Sequence, residues 1–354
     1  MSRLAVRLTA ALVASTALAA PALAQDLEPV TLSVVGTWSG LPLHRQFEQP
    51  FWAEHLPEAS GGAITVNLTT FDQMGVAGGD VFRLLDDGVF DVGATVADYT
   101  VGDAPELEGL DVPLVATDPA DARAMVDAAR PMVDDIMAER FASKLLGIAP
   151  YPPQVVFCKP AVAGLDDLRG LKIRGSGRMT TKFLEALGAE GITLGFAEVP
   201  GALERGVIDC AITGSGSGYS AGWWESSTHL MTLPLGGWDP VVTAMNLDRW
   251  ESLSPEMQAF LQEQITTYLE QPAWDAADGA LDDDIACLTG NGDCPLGDPA
   301  AMTLVEPSAE DLALAEKVLE ETVLPEWAQR AGPDWAERWN RSVGEVVGVE
   351  VPIN

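Results

Sequence analysis

The chain has 354 residues, of which 20 are Lys or Arg and 53 are Asp or Glu, so its formal charge at pH 7 is −33. This length is typical of two domains, and 47% hydrophobic with 21% charged residues excludes a disordered chain. The acidity argues against nucleic acid and an anionic membrane as partners, and three His residues are too few for a histidine metal centre.

The first 24 residues have the pattern of a secretory signal peptide. Arg3 and Arg7 precede an Ala-rich apolar stretch, and residues 22–24 (ALA) are typical of a cleavage site before Gln25. The alternative is a membrane anchor, which is the weaker interpretation because the apolar stretch is short for a bilayer. The sequence therefore predicts an exported protein that is not stably inserted in a membrane.

Strands and helices alternate in the first part of the mature chain. The patterns predict strands at 30–35, 63–68 and 89–94 and helices at 47–52 and 81–85. Asp118, followed by Pro119 at the first helical position, predicts a helix that runs to about Leu146 with a kink at Pro131.

The same alternation continues in the second part. Strands are predicted at 155–158, 171–174, 192–196, 207–212 and 241–245, with helices at 179–187, up to Leu203, and through most of 309–346. Ser254 and Pro255 predict the start of another helix, whose apolar stripe is Met257, Phe260, Leu261, Ile265 and Leu269. Such alternation predicts parallel α/β layers.

Two segments 118 positions apart repeat one pattern. Residues 85–91 read LDDGVFD and residues 203–209 read LERGVID. In each, a helix ends at a glycine that can adopt the left-handed conformation, Gly88 or Gly206, and a strand follows. Chance is the alternative, because helix–Gly–strand is common. The repeat indicates two equivalent α/β domains, and ligands bind in the cleft between such domains.

Export places the four cysteines in an oxidising compartment. Cys287 and Cys294 enclose a short Gly/Asn/Asp loop, so we expect a local disulfide between them. Cys158 and Cys210 end predicted strands, and the sequence leaves open whether they are bonded or only buried.

The glycine-rich segment 214–218 (GSGSG) does not fit a catalytic motif. Its central residue is Gly216, whereas a nucleophile elbow needs Ser there. The segment fits a dinucleotide-binding fingerprint only with Ala221 in the last place and no clear helix behind it. We interpret it as a flexible polar loop.

Segment 171–177 (LKIRGSG) predicts an anion site. Arg174 ends a predicted strand, and glycines lead from it into a helix near Met179. An arginine there is placed to face the cleft, where its planar guanidinium matches a carboxylate with two hydrogen bonds. The start of the next helix would support the same anion. The alternative is a surface arginine paired with one of the many acidic residues.

Several segments together resemble a known receptor family. Residues 165–174 (LDDLRGLKIR), 196–199 (FAEV) and 206–209 (GVID) are similar to the solute-binding proteins of tripartite ATP-independent periplasmic (TRAP) transporters, of the C4-dicarboxylate receptor type. The N-terminal half agrees at 73–75 (QMG), 85–91, 105–107 (PEL) and 111–113 (DVP). The resemblance covers essentially the whole mature chain.

The resemblance implies a periplasmic receptor of two α/β domains, joined by crossing hinge strands and followed by C-terminal helices. Accordingly we expect domain I to comprise 25–151 and 240–279, and domain II to comprise 152–239 and 280–354. It implies that the receptor closes over a small organic acid anion and delivers it to the permease subunits of a TRAP transporter. We expect a monomer without cofactor or catalytic residues, although the sequence leaves dimerisation open.

The resemblance also implies ligand-binding residues. Arg174 falls on the family's ligand-anchoring arginine and Phe196 on an aromatic neighbour of the ligand. Three positions depart from sialic-acid-type receptors, because Trp38 replaces an Asn, Gln154 a second Arg, and Thr213 another Asn. Without the second Arg, we expect a monocarboxylate with an apolar or hydroxylated body.

Aromatic side chains are candidates for enclosing that body, although each could instead belong to the core: Trp38, Tyr99, Trp223 and Trp224. Of the adjacent pair, Trp224 is expected to be the more buried.

Two other functions remain open. A secreted α/β enzyme acting on small carboxylic acids would need a positioned base, and only Cys210 and His229 lie in the motif-bearing segments. In a cation-assisted receptor, a metal ion would bridge the ligand carboxylate and an acidic residue such as Glu225.

Overall fold

The computed structural model describes residues 27–353, so the signal peptide predicted over 1–24 lies outside the described residues. The strands are β1 (Val30–Gly36), β2 (Ile64–Thr70), β3 (Val92–Val96), β4 (Ser143–Ala149), β5 (Gln154–Cys158), β6 (Lys172–Arg174), β7 (Glu190–Ile192), β8 (Cys210–Gly214), β9 (His229–Met231), β10 (Val241–Asn246) and β11 (Thr303–Val305).

Helices cover both sheets. The α-helices are α1 (Leu56–Ala59), α2 (Val81–Asp86), α3 (Pro119–Phe141), α4 (Arg178–Leu187), α5 (Val199–Arg205), α6 (Ser215–Ser220), α7 (Leu247–Glu251), α8 (Pro255–Ile265), α9 (Gln271–Ala277), α10 (Ala280–Thr289), α11 (Ala309–Val318), α12 (Leu324–Ala331), α13 (Pro333–Trp339) and α14 (Glu345–Val347). Short 3₁₀ or π-helical segments include Ala97–Thr100, Pro105–Leu110, Phe196–Glu198, Trp223–Glu225, Thr266–Glu270 and Leu319–Val323.

The strands form two sheets of matching topology. The first sheet has the order β2-β1-β3-β10-β4, and the second, read in the matching direction, has the order β7-β6-β8-β5-β9-β11. In each, the first three strands are parallel and the next two alternate in direction. We call the parts of the chain built on the first and second sheets the first and second lobe. The chain crosses between them after β4, after β9 and again between β10 and β11, so the predicted two-domain α/β fold with crossing strands is confirmed.

The internal repeat predicted from 85–91 and 203–209 is present in the backbone. Gly88 and Gly206 both have a φ of 69°. Asp91 accepts a hydrogen bond from a backbone N–H of β1 at 2.7 Å, and Asp209 accepts one from β6 at 2.8 Å. The two βαβ units are therefore equivalent down to the carboxylate that joins their parallel strands.

The long helix predicted from Asp118 ends earlier than expected. The Asp118 carboxylate accepts a hydrogen bond from the N–H of Asp121, as a capping residue does. However, Ala142 adopts a left-handed conformation with a φ of 39°, and 143–149 form β4. The prediction of a helix to Leu146 was wrong because pairing with β10 overrides the local helical pattern.

In segment 214–218, Gly214 ends β8 and the other residues are helical, so its interpretation as a flexible loop was wrong. Residues 215–218 are buried within α6, and the Ser215 hydroxyl donates to Asp284 at 2.5 Å. A Cβ on Gly218 would lie 2.3 Å from the ring of Phe157, so a larger residue would collide with that ring. The glycines here allow close packing of the helix on β5.

The last helices pack against the first lobe. The indole N–H of Trp327 donates to the carbonyl of Pro105 at 3.0 Å, and that of Trp339 donates to Gly109 at 2.8 Å. The prediction placed all of 280–354 in domain II, whereas α12 and α13 lie on the Pro105–Leu110 segment of the first lobe. Burial of these two large indoles stabilises the packing of α12 and α13 on the first lobe.

Both cysteine pairs are bonded. The predicted Cys287–Cys294 disulfide is confirmed, and Cys158 is bonded to Cys210, its partner in the pairing of β5 with β8. Within residues 27–353, the helices are too short or too polar to span a membrane.

Candidate functional site

A cavity of about 740 Å³ lies between the lobes, where the parallel strands of both sheets have their carboxyl ends. Segments after β1 and β3 contribute Trp38, Asp98 and Tyr99 from the first lobe. From the second lobe, the end of β6 contributes Arg174, and the segments after β6 and β7 contribute Gly177 and Phe196. Open α/β sheets bind ligands at this end of their strands. The carboxyl ends of the parallel strands in the two equivalent units therefore face each other across the cavity.

Arg174 is the central cation of this cavity. It is only 2% exposed, and its guanidinium donates to the carbonyls of Ile212 at 2.7 Å, Leu194 at 3.0 Å and, at a long 3.5 Å, Ser176. These bonds fix the side chain and use three of its five N–H donors. Two donors therefore remain for a ligand.

The surroundings of Arg174 are partly acidic. Burial lowers the pKa of its guanidinium, while the nearby Tyr99, Asp239 and Asp98 raise it. An arginine stays charged through such opposing effects. Burial likewise raises the pKa of the Tyr99 phenol. The site is therefore a desolvated cation, and a desolvated cation binds an anion more strongly than an exposed one does.

An aromatic row crosses the cleft beside Arg174. The ring centroids of Trp38 and Phe196, on opposite lobes, are 5.3 Å apart, and Phe196 lies 5.3 Å from Trp223. The Arg174 guanidinium carbon is 5.9 Å from the centroid of Trp223. Among the described residues, the buried indole N–H groups of Trp38 and Trp223 have no hydrogen-bond partner. Within the cavity, the row offers the apolar faces of Trp38 and Phe196 and the unpaired indole N–H of Trp38.

Trp223 and Trp224 differ in burial, but not as expected. Trp223 is fully buried and Trp224 is only partly buried, so the expectation for the pair was reversed. Packing of Trp223 on Phe157 and Phe196 explains its burial. Trp223 lies behind the cavity, next to the guanidinium, and does not line it.

Gln154 and Thr213 do not line the cavity. Gln154 is fully buried where the lobes cross, and its amide donates to Asp111 at 2.8 Å and to Asp239 at 3.1 Å. Burial raises the pKa of Asp111 to about 6, and burial together with Asp111 raises the pKa of Asp239 well above its usual value. Thr213 is buried in β8 opposite Val155.

Glu225, the candidate for a bridged cation, is exposed and does not line the cavity. Within residues 27–353, no group of three or more His, Cys, Asp or Glu side chains is arranged to hold a metal ion.

Asp98 is a cavity residue that the sequence did not single out. It is 5% exposed and lies on the 3₁₀ turn after β3. Burial, then the nearby Glu108 and Asp111, raise its pKa well above the usual value for a carboxyl. In the sequence, Asp98 is marked only by its place directly after segment 92–97. Because the chain has 53 Asp and Glu residues, this position alone did not distinguish it.

Sequence comparison identifies a family. The sequence profile of the bacterial extracellular solute-binding proteins, family 7, matches residues 39–285. A curated protein of Sinorhizobium fredii, the uncharacterized protein y4mM, is 28% identical over 205 residues, which are 55% of this chain. The chain spans only 37% of the length of that relative.

Solved structures share the fold at low identity. A Bordetella pertussis extracytoplasmic solute receptor that binds pyroglutamic acid has a TM-score of 0.78 and 19% identity, over 90% of this chain and 99% of that one. A Desulfovibrio salexigens TRAP solute-binding protein with bound orotic acid also has a TM-score of 0.78, with 17% identity over 90% and 98% of the chains. A marine metagenome TRAP solute-binding protein in complex with 3-hydroxybenzoate has a TM-score of 0.74 and 24% identity over 91% and 98%.

Proposed function

Because the chain belongs to the bacterial extracellular solute-binding proteins of family 7, we propose that it is the periplasmic receptor of a TRAP transporter. In this role it binds a small organic acid anion between its lobes and delivers it to the membrane permease subunits. The structurally similar receptors have pyroglutamate, orotate or 3-hydroxybenzoate as ligands, and all three are small acids.

The observation that carries the proposal is the fixed guanidinium of Arg174. Three main-chain carbonyls hold it at the carboxyl end of β6, and the buried guanidinium keeps two N–H donors that these carbonyls do not use. A carboxylate matches such a planar pair of donors with two parallel hydrogen bonds. Trp38, Tyr99 and Phe196 then form the walls around the rest of the ligand.

Closure of the lobes couples binding to delivery. The contact between Trp38 and Phe196 joins the two lobes across the cavity, so it forms only when they approach. Exclusion of water strengthens the ion pair at Arg174. A ligand stabilises the closed form by the difference between its affinities for the two forms. The permease then recognises the closed receptor, and the acid leaves chemically unchanged.

A thermal-shift screen of the mature protein against small organic acids tests the proposal, because a bound acid raises the melting temperature by mass action. Calorimetry with the most stabilising acid then compares Arg174→Ala with Arg169→Ala, an exposed arginine of the same lobe outside the cavity. Loss of a buried charge partner costs about 2–5 kcal/mol. Arg174→Ala should therefore weaken binding by about tenfold or more, and Arg169→Ala should not.

The same experiment separates a receptor from the alternative, an enzyme acting on carboxylic acids. After incubation with the protein, the acid is recovered and analysed by mass spectrometry. An unchanged acid supports the receptor, whereas a converted one supports the enzyme. Equal affinity in the wild type and in Arg174→Ala would remove Arg174 from the site.

A further inference from the structure

The cavity that contains Arg174 also contains a carboxylate without a partner. Asp98 faces the cavity from the first lobe, 5% exposed, and its Oδ1 has no hydrogen-bond partner in residues 27–353. Its other oxygen lies against Gly177 of the second lobe, in the place that a Cβ of Gly177 would occupy. Arg330 and Arg174 are near enough to lower the pKa of Asp98, but no hydrogen bond within residues 27–353 joins either of them to its Oδ1.

The charged groups around Asp98 are already paired with others. Arg330 holds both carboxylate oxygens of Glu108, and Asp111 is held by Gln154 and by the backbone N–H of Asp239. Arg174 donates to main-chain carbonyls. A buried carboxylate oxygen that lacks a donor is costly. The missing donor of Asp98 is therefore not supplied by the protein residues around it.

A ligand with a carboxylate alone would leave this situation unresolved. It would satisfy Arg174, but Oδ1 of Asp98 would still lack a hydrogen-bond donor. A ligand with both a carboxylate and a hydrogen-bond donor would satisfy both groups. If the donor is an ammonium group, its positive charge balances the negative charge of the ligand carboxylate, and the closed site takes up a ligand without net charge.

We propose that the ligand is a small acid that also carries an N–H group, either in an ammonium or in a cyclic amide. Asp98 accepts a hydrogen bond from this N–H group while Arg174 binds the carboxylate. The inference rests on the proposed function and narrows it to amino acids, cyclic imino acids and lactam acids. It excludes fully ionised dicarboxylates, because these offer no hydrogen-bond donor to Oδ1 of Asp98.

Two pairs of ring acids that differ only at one ring atom provide the test. L-proline is compared with tetrahydrofuran-2-carboxylate, and pyroglutamate with 5-oxotetrahydrofuran-2-carboxylate, so an N–H is replaced by oxygen in each pair. Calorimetry measures all four with the wild type and with Asp98→Asn, which keeps the side-chain shape and removes the charge. Asp98→Ser repeats the test if the Asn variant does not fold.

We expect the N–H member of at least one pair to bind at least about tenfold more tightly than its oxygen analogue. A site that accepts a hydrogen bond from a ligand N–H rejects an analogue that lacks this N–H. Asp98→Asn should remove most of this preference. Equal binding within each pair, or a preference that survives Asp98→Asn, would overturn the assignment while Arg174-dependent binding kept the receptor function. No binding of any of the four would also overturn it, and the receptor function would then be judged by the wider acid screen.

Discussion

The contact between Gly177 and Asp98 gives a direct test of how the lobes close. A Cβ at Gly177 would lie 1.1 Å from Oδ2 and 2.2 Å from Cγ of Asp98, whereas ordinary van der Waals contacts begin at 3.4 Å. The φ of Gly177 is −146°, which alanine adopts without strain. In Gly177→Ala, the methyl group must therefore displace the carboxylate, or separate the lobes, by about 2 Å.

We expect Gly177→Ala to weaken ligand binding without unfolding the protein. Insertion of a methyl group into a packed contact costs about 1–3 kcal/mol, so the dissociation constant should rise roughly five- to 150-fold. Small-angle scattering should show that the variant, at a ligand concentration that closes the wild type, keeps a larger radius of gyration. The melting temperature without ligand should stay unchanged, because the collision exists only between the closed lobes.

Gly40→Ala is the matched control, because no atom lies within 4 Å of its added Cβ. It should bind and close as the wild type does. Adding Asp98→Ala to Gly177→Ala removes the colliding carboxylate, so the scattering of the double variant should return toward the closed form. If Gly177→Ala alone bound with wild-type affinity and closed fully, the lobes would not close through this contact.

Two further predictions concern stability. Burial raises the pKa of Asp284 to about 6, so the contribution of Asp284 to stability falls by about 3 kcal/mol as pH rises from about 4 to about 6. In urea denaturation, Asp284→Asn should be more stable than the wild type at pH 8 and equal to it near pH 4. The Cys158–Cys210 disulfide closes a longer loop than Cys287–Cys294, with separations of 52 and 7 residues. Replacement of each pair by alanine should cost about 4 and about 2 kcal/mol of unfolding free energy, and an equal cost would contradict the chain-entropy argument.

Local sequence signals predicted much of the fold because they act over a few residues. Asp118 and Pro119 marked the start of α3, and the repeat around Gly88 and Gly206 revealed two equivalent units. The end of α3 was not predictable in this way. Ala142 adopts a left-handed φ without being glycine, and the next segment becomes a strand through pairing with the distant β10.

The site also contains residues that local sequence predicts and residues that depend on distant contacts. Arg174 was predictable because its strand, its glycines and its family motif lie within ten consecutive residues. Asp98 was not, because its importance comes from burial against Gly177 of the other lobe and from an Oδ1 that has no hydrogen-bond partner in the described chain. Burial of Trp223 in place of Trp224 has the same cause, since its neighbours Phe157 and Phe196 are distant in sequence.

The crossing point of the lobes determines which contacts can open. Gln154 joins Asp111 to Asp239, and Asp111 accepts a further hydrogen bond from the backbone of Asp239 at 2.8 Å. Rotation inside this buried cluster would break bonds to desolvated carboxylates, each worth about 1.5–3 kcal/mol. The Asp98–Gly177 contact involves no such bond. Because opening follows the lower cost, we expect the cluster to act as the pivot and the lobes to separate at the cavity.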